Sequence, residues 1–132
     1  MKTNYRLALA VFAGVSIGIA GAKAMHAGQV TPPPAYVISE VDAMDLAGLQ
    51  KYGEKVGDTL APFNGHYHFL VGGGAKIQAL DGDPPKGIVV LAFDNAEKAR
   101  QWYDSPAYEA IKPIRQSAAK SRIFIVEGVA PQ

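Results

Sequence analysis

Two imidazoles, His66 and His68, stand two apart in the run HYHFLV (66–71). On an extended strand such residues point to one face. The pair is half of a zinc or iron site, or a neutral acid or base facing a cavity. A third metal ligand is not evident nearby, so no metal and no cofactor are expected. The plainer reading is polar residues near a strand start, beside the loop FNG (63–65).

A second set lies further on. Tyr108, Lys112 and Arg115 are spaced i, i+4 and i+7, along one side of a helix, beside an apolar stripe of Ala107, Ile111, Ile114 and Ala118. The Arg115 guanidinium can receive a carboxylate or phosphate through two parallel N–H groups. It can equally pack its stem on an aromatic ring or pair with an acid of a partner subunit. Trp102 and Tyr103 precede this set; large rings with one polar handle serve core edges and interfaces as well as ligand pockets. The candidate ligand-binding residues are therefore His66, His68, Trp102, Tyr108 and Arg115. Glu127 is read as facing solvent, since burying it unpaired would be costly. The run GGGAK (72–76) is not a phosphate loop: it lacks the Gly-Lys-Ser/Thr ending and leads into a strand-like segment rather than a helix. Hairpin or bulge geometry accounts for it better. No paired carboxylates, Ser-His-Asp or Cys-His arrangement stands out, and no catalytic residue is assigned.

The elements that must hold these residues follow from patterning. AYVISEVDA (35–43) is β-branched and aromatic, bounded by prolines and an acid, and reads as a strand. Leu46, Leu49, Gly53, Val56 and Leu60 then recur at steps of three and four, giving an amphipathic helix capped by Asp45 and ended by Pro62. HYHFLVGGG is a second strand, AKIQAL (75–80) a short third, DGDPPKG a turn, and IVVLAF (88–93) a further strand. Asp94 with Glu97 three residues on resembles a capping box opening the next helix. Pro106 pushes Ser105 out of the helical region, so Ser105 caps a second segment with Pro106 at its first position. Pro113, deeper in, is expected to kink that segment. RIFIVEGVA (122–130) closes the chain as a last strand. The order is that of a split βαβ, an α+β ferredoxin-like plan.

Both helical regions of that plan cover one sheet face. Yet IVVLAF and IFIV are apolar on both faces, the pattern of strands buried on two sides. About 100 residues cannot add a third layer, so a second copy is expected to cover the bare face. The competing explanation is a patch for a different partner.

At the start, MKTNYR is a positive n-region, Leu7–Gly21 an uncharged stretch and Ala22–Ala24 a small-x-small site, together a secretory signal peptide. Residues 1–24 are thus read as a leader, with Ala27 a second possible cleavage point, 25–34 as a proline-rich linker and 35–130 as the domain. The uncharged run is short for a membrane span, so a retained anchor is the lesser alternative and no membrane anchor is expected after cleavage. The protein is expected to be secreted or periplasmic. The whole chain has a net charge of +1, but the first 24 residues hold three bases and no acid, leaving ten bases against twelve acids beyond. That balance offers no basic surface for nucleic acid. Without cysteine there is no disulfide and no thiolate chemistry.

The stretch FDNAEKARQWYDSPAYEAIKPIRQSAAKSRIFIVEGV (93–129) resembles the C-terminal half of the bacterial family called domain of unknown function 1330. The pattern is Ala-x-x-Trp-Tyr-x-Ser-x-x-Tyr, an Arg seven residues on, then Val-Glu-Gly, here Ala99, Trp102, Tyr103, Ser105, Tyr108, Arg115 and Val126-Glu127-Gly128. AYVISEVDA, LQKYGE and FLVGGG fit more loosely, so the resemblance covers about 35–129. It implies a dimeric α+β barrel, with two ferredoxin-like sheets face to face, and no established activity. Proteins of that architecture include cofactor-independent monooxygenases, muconolactone isomerases and haem-degrading enzymes. Fold analogy alone does not transfer their functions. The expectation is an exported homodimer that binds a small molecule or serves as an interaction module. The alternative is a cofactor-independent enzyme, monooxygenase- or isomerase-like, acting on a small organic substrate through His66, His68, Tyr108 or Arg115.

Overall fold

The computed structural model describes residues 30–71 and 77–129. The leader, the first part of the linker and the run GGGAK lie outside the described residues. Strand β1 (Ala35–Ala43) is followed by helix α1 (Leu46–Leu60), a single 3-10 turn (Ala61–Phe63) and strand β2 (His66–Val71). Strand β3 (Ile88–Phe93), helices α2 (Ala96–Tyr103) and α3 (Pro106–Ala118), and strand β4 (Ala119–Glu127) complete the chain. The sheet has the order β2-β3-β1-β4 with every pairing antiparallel. This is a ferredoxin-like α+β fold: β3 is inserted between the parallel β1 and β2.

Register divides the sheet into two faces. Val37 stands opposite Leu91 and Ile125, and Ala35 opposite Phe93, on the side covered by helices. There Val37, Leu91 and Phe93 meet Val56 and Leu60 of α1 and Ala99, Trp102 and Tyr108 of α2 and α3 to form the core. Tyr36, Ile38, Val90, Phe124 and Val126 point to the opposite side. Phe124 and Val126 are 42% and 39% exposed there, with no helix over them. The doubly apolar strands thus leave an uncovered apolar face in the single chain.

Three local expectations change. Ile77–Leu80, the described part of AKIQAL, forms no strand, and Leu80 is exposed. Strand β2 pairs directly with β3, so the chain crosses from one to the other without a further strand in its described residues. The α2 cap is Asn95 rather than Asp94: its side chain accepts from the Lys98 amide at 2.9 Å, while Asp94 is held by Asn64 Nδ2 at 2.9 and 3.1 Å. Last, the inward side of α1 runs through Leu49, Tyr52, Val56, Thr59 and Leu60, leaving Leu46 and Gly53 exposed. Tyrosine and threonine occupy positions on the buried face because each finds a polar partner there.

Ser105 behaves as its place before Pro106 requires. Its backbone is extended (φ −69°, ψ 146°), and its hydroxyl accepts from the Tyr108 amide at 3.3 Å and donates to the Trp102 carbonyl at 2.7 Å. Helix α3 carries Pro113 within it and continues to Ala118. Ala119 is already extended (φ −152°, ψ 150°), so β4 starts three residues before the expected Arg122 and pairs with β1 over nine residues. Helices α1 and α3 approach closely at Gly48, where an added Cβ would lie 2.9 Å from Ala118 Cβ and 2.7 Å from Asp45 Oδ2.

Candidate functional site

Helix α3 aims two of its residues, one helical side apart by two turns, into the layer between helices and sheet. Tyr108 is fully buried and Arg115 is 7% exposed. Arg115 Nε donates to the Tyr108 hydroxyl at 3.3 Å, and that hydroxyl lies 3.1 Å from the hydroxyl of Tyr52 on α1. The two phenol rings meet edge-on, 6.4 Å between centroids. From the sheet, Tyr67 faces the same layer, opposite Leu91, and stays 43% exposed. Burial raises the Tyr52 pKa above the ordinary phenol value, the Tyr108 phenol adds to the rise, and the Arg115 guanidinium opposes it. Tyr67 is raised as well, by burial and then by Tyr108. Tyr108 thus links the Arg115 guanidinium to the phenols of Tyr52 and Tyr67.

No carboxylate answers that charge. The ion pairs among the described residues are Lys86–Asp42, Lys112–Glu109 and Arg122–Glu40. A buried, unpaired charge is costly. The side-chain N and O atoms that are both sealed from solvent and unpartnered, among the described residues, are Ser39 Oγ and Ser121 Oγ. The bond from Nε to the Tyr108 hydroxyl is the side-chain hydrogen bond of the Arg115 guanidinium among those residues. Lys112 stays beside Tyr108: its ammonium sits 4.0 Å from the centroid of the Tyr103 ring and 5.5 Å from that of Tyr108, and it pairs with Glu109.

Trp102 belongs to the core beneath this cluster. Its indole N–H donates to Thr59 Oγ1 at 3.0 Å, and Thr59 donates to the Val56 carbonyl at 2.7 Å. Its ring stacks on Tyr108, 4.2 Å between centroids, and on Phe93 at 5.5 Å. Its one polar atom is thereby used within the protein.

His66 and His68 lie elsewhere, on the uncovered sheet face. A bulge between Tyr67 and Phe69 makes His68 the extra residue of β2. Its ring lies 5.4 Å from that of Tyr36. Both histidines line an open groove of about 530 Å³ with Tyr36, Pro32, Pro34 and Asp94. Among the described residues, no group of three or more His, Cys, Asp or Glu gathers at a possible metal site. The structure thus brings Tyr108, Arg115 and Trp102 together and leaves the histidine pair on the far side of the sheet. Glu127 is exposed at the end of β4. Tyr52 and Tyr67 are members of the cluster that residue spacing did not single out. The available signal was Tyr52 standing four residues before Val56, on the same helical side.

Solved structures of similar fold place the chain among ferredoxin-like proteins. RPA0582 from Rhodopseudomonas palustris, a protein of unknown function, has a TM-score of 0.57 at 14% identity, covering 75% of this chain and 85% of that one. SnoaB from Streptomyces nogalater, a cofactor-independent oxygenase, has a TM-score of 0.55 at 10% identity, covering 74% of this chain and 94% of that one. A dimeric ferredoxin-like protein of unknown function from Thermobifida fusca has a TM-score of 0.51 at 14% identity, covering 73% and 92%. At these identities the likeness is one of fold. No curated protein matches the chain. With the family's model, a domain of unknown function, matching residues 34–129, the chain belongs to the DUF1330 family.

Proposed function

We propose that this protein is an exported homodimer that binds a small organic molecule at the cluster of Arg115, Tyr108, Tyr52 and Tyr67. The observation that carries the reading is Arg115: a buried guanidinium with a phenol for its side-chain partner and no carboxylate partner among the described residues. Proteins retain such a charge where a ligand completes it. Pairing through the uncovered sheet face is supported by the half-exposed Phe124 and Val126 and by the dimeric neighbour from Thermobifida fusca. Export rests on the leader pattern of residues 1–24.

An enzyme working without a cofactor, as SnoaB does, would need a group that takes a proton from its substrate. Burial holds the Tyr52 phenol in its protonated form. Tyr52 therefore serves as a hydrogen-bond donor, and binding is the function the cluster supports best. Native mass spectrometry of protein purified from its own host tests this reading. The expected spectrum is a dimer carrying a small non-protein mass that is absent from Arg115→Met; an empty wild-type protein contradicts it. Sequencing the exported protein from its N-terminus is expected to start after Ala24 or Ala27, and a start at Met1 contradicts export.

A further inference from the structure

The class of ligand follows from the polarity of the groups around Arg115, given that the cluster is a ligand site. A guanidinium carries five N–H donors and no acceptor. Arg115 uses Nε on Tyr108, leaving the N–H groups of both terminal nitrogens without a side-chain partner among the described residues. The Tyr108 oxygen accepts that bond, so its own proton is best spent on the Tyr52 oxygen 3.1 Å away. The Tyr52 proton is then directed onward, away from Tyr108. Arg115 and Tyr52 thus both offer donors, and Arg115 carries a full positive charge, while the Tyr67 hydroxyl can donate or accept.

The charge count narrows the class further. The Lys112 ammonium, over the rings of Tyr103 and Tyr108, is balanced by Glu109, so among the described residues Arg115 carries the unpaired positive charge of the cluster. A phosphate dianion would leave one negative charge uncompensated in a buried place, and a neutral ligand would leave the guanidinium uncompensated. We infer that the site takes an organic monocarboxylate, held by paired N–H groups of Arg115 with the Tyr52 hydroxyl as a further donor. Two parallel N–H···O bonds match the carboxylate plane, which a lysine in the same place would not do.

Trp102, the chain's single tryptophan, stacks on Tyr108 and reports on the site through its emission. The purified protein is titrated with benzoate, cyclohexanecarboxylate and decanoate, with the three matching primary amides, and with inorganic phosphate. At least one acid is expected to give a saturable change with an affinity about tenfold or more above its own amide, and to outbind phosphate. Arg115→Met is expected to abolish that response and Tyr52→Phe to weaken it a few-fold. An amide matching its acid, phosphate binding more tightly than every acid, or no response to any acid overturns the inference. The wild-type comparison of acid with amide decides the matter even if a variant fails to fold. A neutral molecule co-purifying with the wild type and lost in Arg115→Met would overturn the monocarboxylate while leaving the ligand site standing. Absence of any bound molecule, together with silence to all acids and amides, would remove the site itself.

Discussion

Arg115 and Trp102 sit within one cluster and illustrate opposite uses of a buried polar group. The Trp102 indole has a complete partner chain through Thr59 to the Val56 carbonyl. Thr59→Val keeps the volume and orphans the indole N–H, and should cost about 1–3 kcal/mol in unfolding free energy by denaturant titration. The phenols give a pH signature. Tyr52 keeps its proton in the folded state above its ordinary value of 10.0, whereas the unfolded chain releases it there. The folded form then binds more protons, so stability is intact below about pH 10 and falls as pH rises beyond it. Tyr52→Phe should flatten that alkaline decline in melts recorded across pH. Tyr108 and Arg115 were legible as a pair from their seven-residue spacing. Tyr52 was not, because its hydroxyl makes it look polar until Tyr108, 56 residues away, supplies its partner.

The corner between α2 and α3 shows how far local chemistry reaches at the scale of elements. Ser105 before Pro106 sets a break and a cap with no help from the rest of the fold, and the structure has both. Ser105→Ala should lower stability by about 1 kcal/mol, read as a shift in denaturation midpoint. Where tertiary pairing decides, local pattern misleads. AKIQAL has strand character, yet its described residues, Ile77–Leu80, join no strand of the sheet. Asp94 and Asn95 are both able caps, and Asn64 takes Asp94 for itself. The close approach of α1 to α3 at Gly48 was equally invisible, since it depends on Ala118 arriving from 70 residues away. Gly48→Val should destabilise the protein more than Ser105→Ala in the same titration, because backbone rather than a side-chain tip would have to move.

At the scale of the molecule, the two-sided apolar pattern of IVVLAF and IFIV carried the most information. It required a covered second face, and a single chain leaves that face open. Phe124→Lys together with Val126→Lys should convert a dimer into a folded monomer, read by light scattering with unchanged far-ultraviolet dichroism. A wild-type monomer at micromolar concentration would contradict the pairing. The fold was legible because hydrophobic period and turn residues agree along the chain; the site was half legible because its members come from three separate elements. The central claim is that Arg115 is retained for a ligand rather than for the fold. The direct test is the thermal midpoint of the ligand-free protein beside that of Arg115→Met. A buried charge lacking a counter-ion costs stability, and Tyr108 keeps Tyr52 as its partner when the guanidinium is removed. The variant should melt at or above the wild-type midpoint, and a midpoint several degrees lower would make Arg115 a structural residue and contradict the account.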